Sequence, residues 1–149
     1  MARNARHLAC PPSDVFAVLA DGWLYPSWVV GAARMREVSG EWPLPGGRLH
    51  HSFGVWPFLI DDTTHVEHTE PGRRLVMVAR GWPMGAARVD VRLEPVETGT
   101  SVTIEETPIS GPAAWLRALV EPLLLWRNHE TLHRLAYLAE NGAGGRPTP

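Results

Sequence analysis

Over residues 111–140 the chain carries an apolar stripe at helical spacing, while the stretch before it is patterned almost throughout with period two. A lone helix of that length cannot bury its apolar face by itself. A strongly twisted sheet cannot cover its own concave side. The economical packing is a sheet curled around the helix, and such a wrap leaves a hollow between the two layers where a small molecule can sit.

The helical segment has readable ends. Ser110-Gly111-Pro112 is a start signal, with Pro112 where a missing N–H costs nothing. Trp115, Leu116, Leu119, Val120, Leu123 and Leu124 recur at helical spacing, and Leu132, Leu135, Ala136 and Ala139 continue the stripe. Arg117, Glu121, Arg127, Glu130, Arg134 and Glu140 fall to the wet face. Pro122 removes one backbone bond, which predicts a kink near Ala118–Pro122. Asn141-Gly142 ends the helix. The reading is one domain over 1–141, with 142–149 having the composition of a disordered tail.

Ahead of the helix, residues 3–10 predict a first strand. Pro11-Pro12-Ser13-Asp14 opens a short helix, Val15–Ala20, capped by Ser13 or Asp14. A second short helix or turn spans Trp23–Val30. Strands follow at 34–41, 47–56, 58–69, 74–82, 86–95 and 101–107, separated by turn-like Pro43–Gly47, Glu70–Arg73 and Glu97–Gly99. The expected fold is α+β: a seven-stranded antiparallel sheet wrapped around a long C-terminal helix, with two short helices between the first two strands.

Composition excludes several classes of function. The net charge of −2 comes with no block of like charges, which argues against a nucleic-acid partner or an anionic membrane surface. No apolar run is long enough to span a bilayer. The N-terminus lacks a signal-peptide core, so a cytoplasmic location is the default. Cys10 is the single cysteine, which excludes an internal disulfide. All 14 basic residues are arginine, so no Schiff base and no lysine-bearing phosphate loop can form. No dinucleotide-binding glycine pattern appears, and no cofactor is expected.

Strand parity tells which side chains face the hollow, because alternate residues point to opposite faces. Ala87, Val89, Val91 and Leu93 form one inner row. Leu49, Phe53 and Val55 mark another, to which His51 belongs. Phe58, Ile60 and Val66 mark a third, which includes Asp62, Thr64 and His68. Val102 and Ile104 mark a fourth, which includes Glu106. His51, Asp62 and Glu106 thus interrupt apolar rows. With a turn at 56–58, Phe53 opposes Asp62 and His51 opposes Thr64, leaving His51 and Asp62 as diagonal neighbours. A buried imidazole beside a carboxylate suits general-base work; wall groups that merely satisfy each other suit the same pattern. Spacing argues against a metal site, since His50 and His51 point to opposite faces, as do His65 and His68; only the outward pair His50 and His65 could meet across the hairpin.

Seven tryptophans stand out. Trp42, Trp56 and Trp82 precede prolines and mark strand ends, where wide rings line cavity mouths. Trp28 is the candidate lid, Trp126 projects from the long helix, and Met77 is the expected inner residue of its strand. The candidate ligand-binding set is Trp28, Phe53, Trp56, Met77, Trp82 and Trp126.

The segments Ala9–Asp21, Trp28-Val-Val-Gly31, Pro71-Gly-Arg-Arg-Leu75, Gly99-Thr-Ser-Val102 and Arg127–Leu135, in this element order, carry a resemblance to a known family. Over about residues 3–140 the chain resembles the helix-grip fold of the START-like or SRPBCC superfamily, within it the polyketide cyclase/dehydrase-type branch common in bacteria. The resemblance implies a cavity for a hydrophobic ligand. It supplies no shared catalytic triad to place on this chain. Two function classes stay open. One binds an aromatic or polyketide-like molecule and cyclises or dehydrates it, with His51 as base, Asp62 orienting it and Glu106 as acid. The other is a non-catalytic carrier or sensor. The expected partner is a small hydrophobic molecule, and the protein itself a monomer or homodimer.

Overall fold

The computed structural model describes residues 2–55, 58–81 and 85–144. In chain order the elements are β1 (Ala2–Leu8), α1 (Pro12–Ala20), a 3-10 turn (Gly22–Leu24), α2 (Tyr25–Trp28), β2 (Ala32–Ser39), β3 (Arg48–Val55), β4 (Phe58–Glu70), β5 (Arg74–Gly81), β6 (Gly85–Val96), β7 (Gly99–Pro108), α3 (Pro112–Trp115) and α4 (Arg117–Glu140). The strands form one antiparallel sheet in the order β1-β7-β6-β5-β4-β3-β2. The expected helix-grip architecture is what the chain adopts, with α4 packed on the sheet and the two short helices between β1 and β2.

Three departures from expectation stand out. The segment 111–140 is not one helix: it breaks at Leu116, whose φ of −104° and ψ of 31° are not helical. The break falls one and a half turns ahead of Pro122, so only the first turns of α4 precede the residue that has no N–H to donate to Ala118. The first short helix begins three residues earlier than read. Pro12 occupies its opening position with Pro11 as the flanking residue, and no side chain caps it. Gly144, in the segment read as tail, is buried against α1, where an added Cβ would lie 2.4 Å from the backbone of Ala17.

The core gathers under one end of α4. Leu132, Leu135, Ala136 and Ala139 are buried there with Val15, Val18 and Leu19 of α1 and with Leu75, Val91, Leu93, Val102 and Ile104 of the sheet. In contrast, no residue of Arg117–Arg127 is buried.

Side-chain size explains the difference. The inner row of β5 runs Leu75, Met77, Ala79, Gly81, and that of β6 runs Leu93, Val91, Val89, Ala87, Gly85. The rows are in register, with Leu75 opposite Val91, Met77 opposite Val89, Ala79 opposite Ala87 and Gly81 opposite Gly85. Both taper from large to small in the same direction. Where the residues are large, the sheet meets α4; where they are small, α4 spans a gap.

The outer face of the same strands is held by an ion-pair cluster. Asp90 accepts from Arg74 at 3.0 and 2.8 Å and from Arg92 at 2.9 Å. Burial alone would raise the Asp90 carboxyl, but the hydrogen bonds from the two guanidinium groups outweigh it and hold the group below its ordinary value. A depressed folded-state value means that the stabilisation is present above the unfolded value, about 3.9, and is lost as pH falls through the folded one. Asp90→Asn is therefore expected to lower the urea midpoint at about pH 7. The gap to the parent should close as pH falls below the ordinary carboxylate range and through the lowered folded-state value. An unchanged gap across that range would show that the pair contributes nothing.

Candidate functional site

The gap beneath the N-terminal half of α4 is a cavity of about 390 Å³. Its sheet side is built from Ala79, Gly85, Ala87, Glu106 and Pro108, and its helix side from Val120, Leu123, Leu124, Trp126 and Arg127. Leu123 and Trp126 remain 61% and 64% exposed, so the hollow opens along the helix rather than being sealed. Its far rim is the 109–111 segment, tied to β6 by Ile109 N–H donating to the Ala86 carbonyl at 2.9 Å and Ala86 N–H donating to Ser110 Oγ at 3.0 Å. That approach demands glycine at position 85: its φ is +104°, and a Cβ there would come within 2.0 Å of the Ser110 carbonyl oxygen.

One polar feature interrupts the apolar wall. Glu106, 3% exposed, lies on the inner row of β7 between Ile104 and Pro108. Both of its carboxylate oxygens accept from Arg127 Nη2, at 2.5 and 2.7 Å, and Asn128 Nδ2 donates to Oε2 at 2.9 Å. A carboxylate in this setting needs a cation and further donors to offset its desolvation. α4 supplies both from consecutive residues. Glu106 is the acceptor in each of these bonds, the behaviour of an anchored carboxylate.

A second polar cluster lies deeper. His51 is 1% exposed on the inner row of β3. Its Nε2 is 2.9 Å from Thr64 Oγ1, which is 3.1 Å from the Tyr25 hydroxyl. The Tyr25 ring lies over the imidazole, centroids 5.2 Å apart, and meets Trp28 edge-on at 5.4 Å. Burial pushes the Tyr25 phenol up; its hydrogen bond to Thr64 and the charge of Arg127 pull it down, while Glu106 and Asp62 add to the rise. The field of Arg127 and Glu106 at Tyr25 makes the two clusters neighbours.

The β3–β4 register departs from expectation. His51 is directly opposite Asp62, Phe53 opposite Ile60 and Leu49 opposite Thr64. Pairing reaches Val55 and Phe58, so residue 58 belongs to the strand and not to the turn, and the register shifts by two. Parity survives a shift of two, so His51, Asp62 and Thr64 keep the inner face; His68 does not, because the bulge between Val66 and His68 sets it opposite Val76 on the outer face with His65, where it is exposed and lies 3.3 Å from Glu70. His51 and Asp62 are nevertheless direct rather than diagonal neighbours, and the imidazole nitrogen goes to Thr64. Asp62 is partly buried and accepts from its neighbour Thr63 N–H at 2.8 Å.

Of the candidate residues, Glu106 and Trp126 border the cavity. Trp28 and Met77 are fully buried in the core cluster and are not among the described lining residues. Phe53 is placed two positions along β3 from His51. Trp56 and Trp82 lie outside the described residues. His50 Nε2 is 3.2 Å from Ser39 Oγ, and among the described residues no three metal-ligating side chains converge. Arg127, Asn128 and Tyr25 were not among the sequence candidates. A signal for Asn128 exists: Asn128, Leu132, Leu135 and Ala139 recur at core spacing, so the buried face of α4 runs through a polar residue.

Comparison with known proteins decides the lineage. A family model described as "Polyketide cyclase / dehydrase and lipid transport" matches residues 2–140. The chain belongs to this family. No curated protein matches the chain. Among solved structures, protein NE0264 from Nitrosomonas europaea superimposes with a TM-score of 0.72 at 18% identity, covering 93% of each chain. Ara h 8.0201 gives 0.72 at 12% identity over 93% of this chain and 96% of its own. DynU16, from the dynemicin biosynthetic locus, gives 0.66 at 19% identity, and 98% of this chain spans 49% of that one. At such identities these likenesses speak for the fold. Among the described residues no helix is long and apolar enough to cross a membrane.

Proposed function

We propose that the protein binds a small, bulky hydrophobic molecule, aromatic or polyketide-like, in the hollow between the sheet and the N-terminal half of α4. The observation that carries this reading is the matched taper of β5 and β6, which opens an apolar space of about 390 Å³ beside the polar pair of Glu106 and Arg127. An apolar wall with a few placed polar groups is the ordinary make-up of a small-molecule site. Family membership supports a hydrophobic ligand. Titration with neutral aromatic molecules, followed through tryptophan fluorescence, tests it: micromolar binding, about −8 kcal/mol, is expected. No response from a folded protein to any member of a broad panel would reject it.

A catalytic version is favoured by one observation, the buried chain of His51, Thr64 and Tyr25 opposite Asp62. In it His51 is the base that takes a proton from a ligand reaching past the described lining, Asp62 orients the imidazole, and Glu106 is the acid that gives a proton to the ligand oxygen during cyclisation or dehydration. If the ligand is turned over, His51→Gln lowers the rate by about a hundredfold or more with the fold retained. If the protein is a carrier or sensor, the same change moves ligand affinity only a few-fold, and single-turnover measurement on the bound molecule separates the two.

A further inference from the structure

The charges in the cavity wall narrow the ligand further. Among the described residues that border the hollow, Glu106 and Arg127 are the charged groups whose elements aim them inward; Arg80 also borders it but alternates with Ala79 and so belongs to the opposite face of β5. Glu106 and Arg127 compensate each other at 2.5 Å, and Asn128 adds a third bond to the carboxylate. The next ionisable groups inward are Tyr25, His51 and Asp62, the last two directly opposite each other across β3 and β4.

From this balance we infer that the cavity selects a neutral ligand, an apolar body bearing a hydroxyl or carbonyl oxygen, over an anion or a cation of the same shape. The inference rests on the binding reading above and adds the charge class.

The physical argument compares three ligands with one body. A carboxylate that enters must either pull Arg127 away from Glu106 or come to rest beside the Glu106 carboxylate, in a wall with few other polar groups to stabilise it. An ammonium meets the Arg127 guanidinium and a carboxylate already holding three hydrogen bonds. A neutral oxygen does neither. A hydroxyl can donate to the fourth lone-pair site of Glu106, and a carbonyl can accept from the pair's cationic side, both with the ion pair intact. The pair then works as a polar anchor of zero net charge.

The test uses 2-naphthol, 2-naphthoate and 2-naphthylmethylammonium at neutral pH, measured calorimetrically with the full chain. Naphthol should bind at least tenfold more tightly than either ion. A second measurement separates this from the general dislike of apolar hollows for ions. Glu106→Gln removes the compensating negative charge and leaves Arg127 net positive. The naphthoate-to-naphthol affinity ratio should then rise at least tenfold. Either ion binding the parent as tightly as naphthol overturns the inference while the binding reading stands, and so does an unchanged ratio in a folded Glu106→Gln protein. Should that variant not fold, the parent's ratios decide. No heat from any of the three takes the binding reading down and the inference with it.

Discussion

Ala87→Phe is expected to abolish ligand binding, weakening it by a hundredfold or more, while the protein stays folded. Ala87 sits opposite Ala79 on the inner face of the sheet, at the point where both rows have tapered to a methyl group. Its Cβ direction leads into the hollow and not into the close-packed core around Leu135. A benzyl group there takes the space the ligand would take, and it gains apolar contact with Leu123, Leu124 and Trp126 across the gap. Overpacking costs about 1–3 kcal/mol where a core is already full, but here the added ring enters open space. Thermal stability should hold or rise, and the titration curve should flatten. Undiminished binding in a folded Ala87→Phe protein would place the ligand elsewhere.

Arg127→Met should be the most destabilising change at the site, by about 3–5 kcal/mol, because it strands the Glu106 carboxylate. Arg127 keeps only about a fifth of its side chain in solvent and Glu106 almost none, so water cannot take over the guanidinium's part. Asn128 would remain as the single described donor to that carboxylate. The double variant Glu106→Gln, Arg127→Met removes both charges and should recover most of the loss, since a buried pair replaced as a unit is often close to neutral. Urea denaturation of the two variants against the parent gives the comparison. Equal destabilisation by the single and double changes would show that Arg127 acts through packing alone.

The sheet and the inner rows of β6 and β7 were legible because alternation is a local signal: Val89, Val91 and Leu93 against Arg88, Asp90 and Arg92 can be read without knowing any partner strand, whereas the bulge that turns His68 outward leaves no mark on it. The β3–β4 register was not, because it depends on whether Phe58 begins a strand or closes a turn, and parity reads the same either way. The unbroken helix 111–140 failed at Leu116, an apolar residue with no breaker signature of its own. Arg127 reads as a wet-face residue by type. Its true place follows from Glu106, which no helical pattern can foresee. Half of the taper was visible: Leu93 to Ala87 lay on a row that alternation marks, whereas the next strand is apolar on both faces and only Met77 was expected to point inward. Its meaning needed the pairing of Ala79 with Ala87, which turns two small residues into one opening.

That taper also separates two kinds of inheritance. The residues that keep the chain folded, Leu75, Val91, Leu93, Leu132 and Leu135, lie at one end of the grip, while those that set the size of the hollow, Ala79, Gly85, Ala87 and Val120, lie at the other. A lineage can therefore drift at positions 79 and 87, enlarging or shrinking the hollow one methylene at a time, without losing the stability held at the far end. Descendants of one such chain can diverge in the size of that hollow long before they diverge in shape.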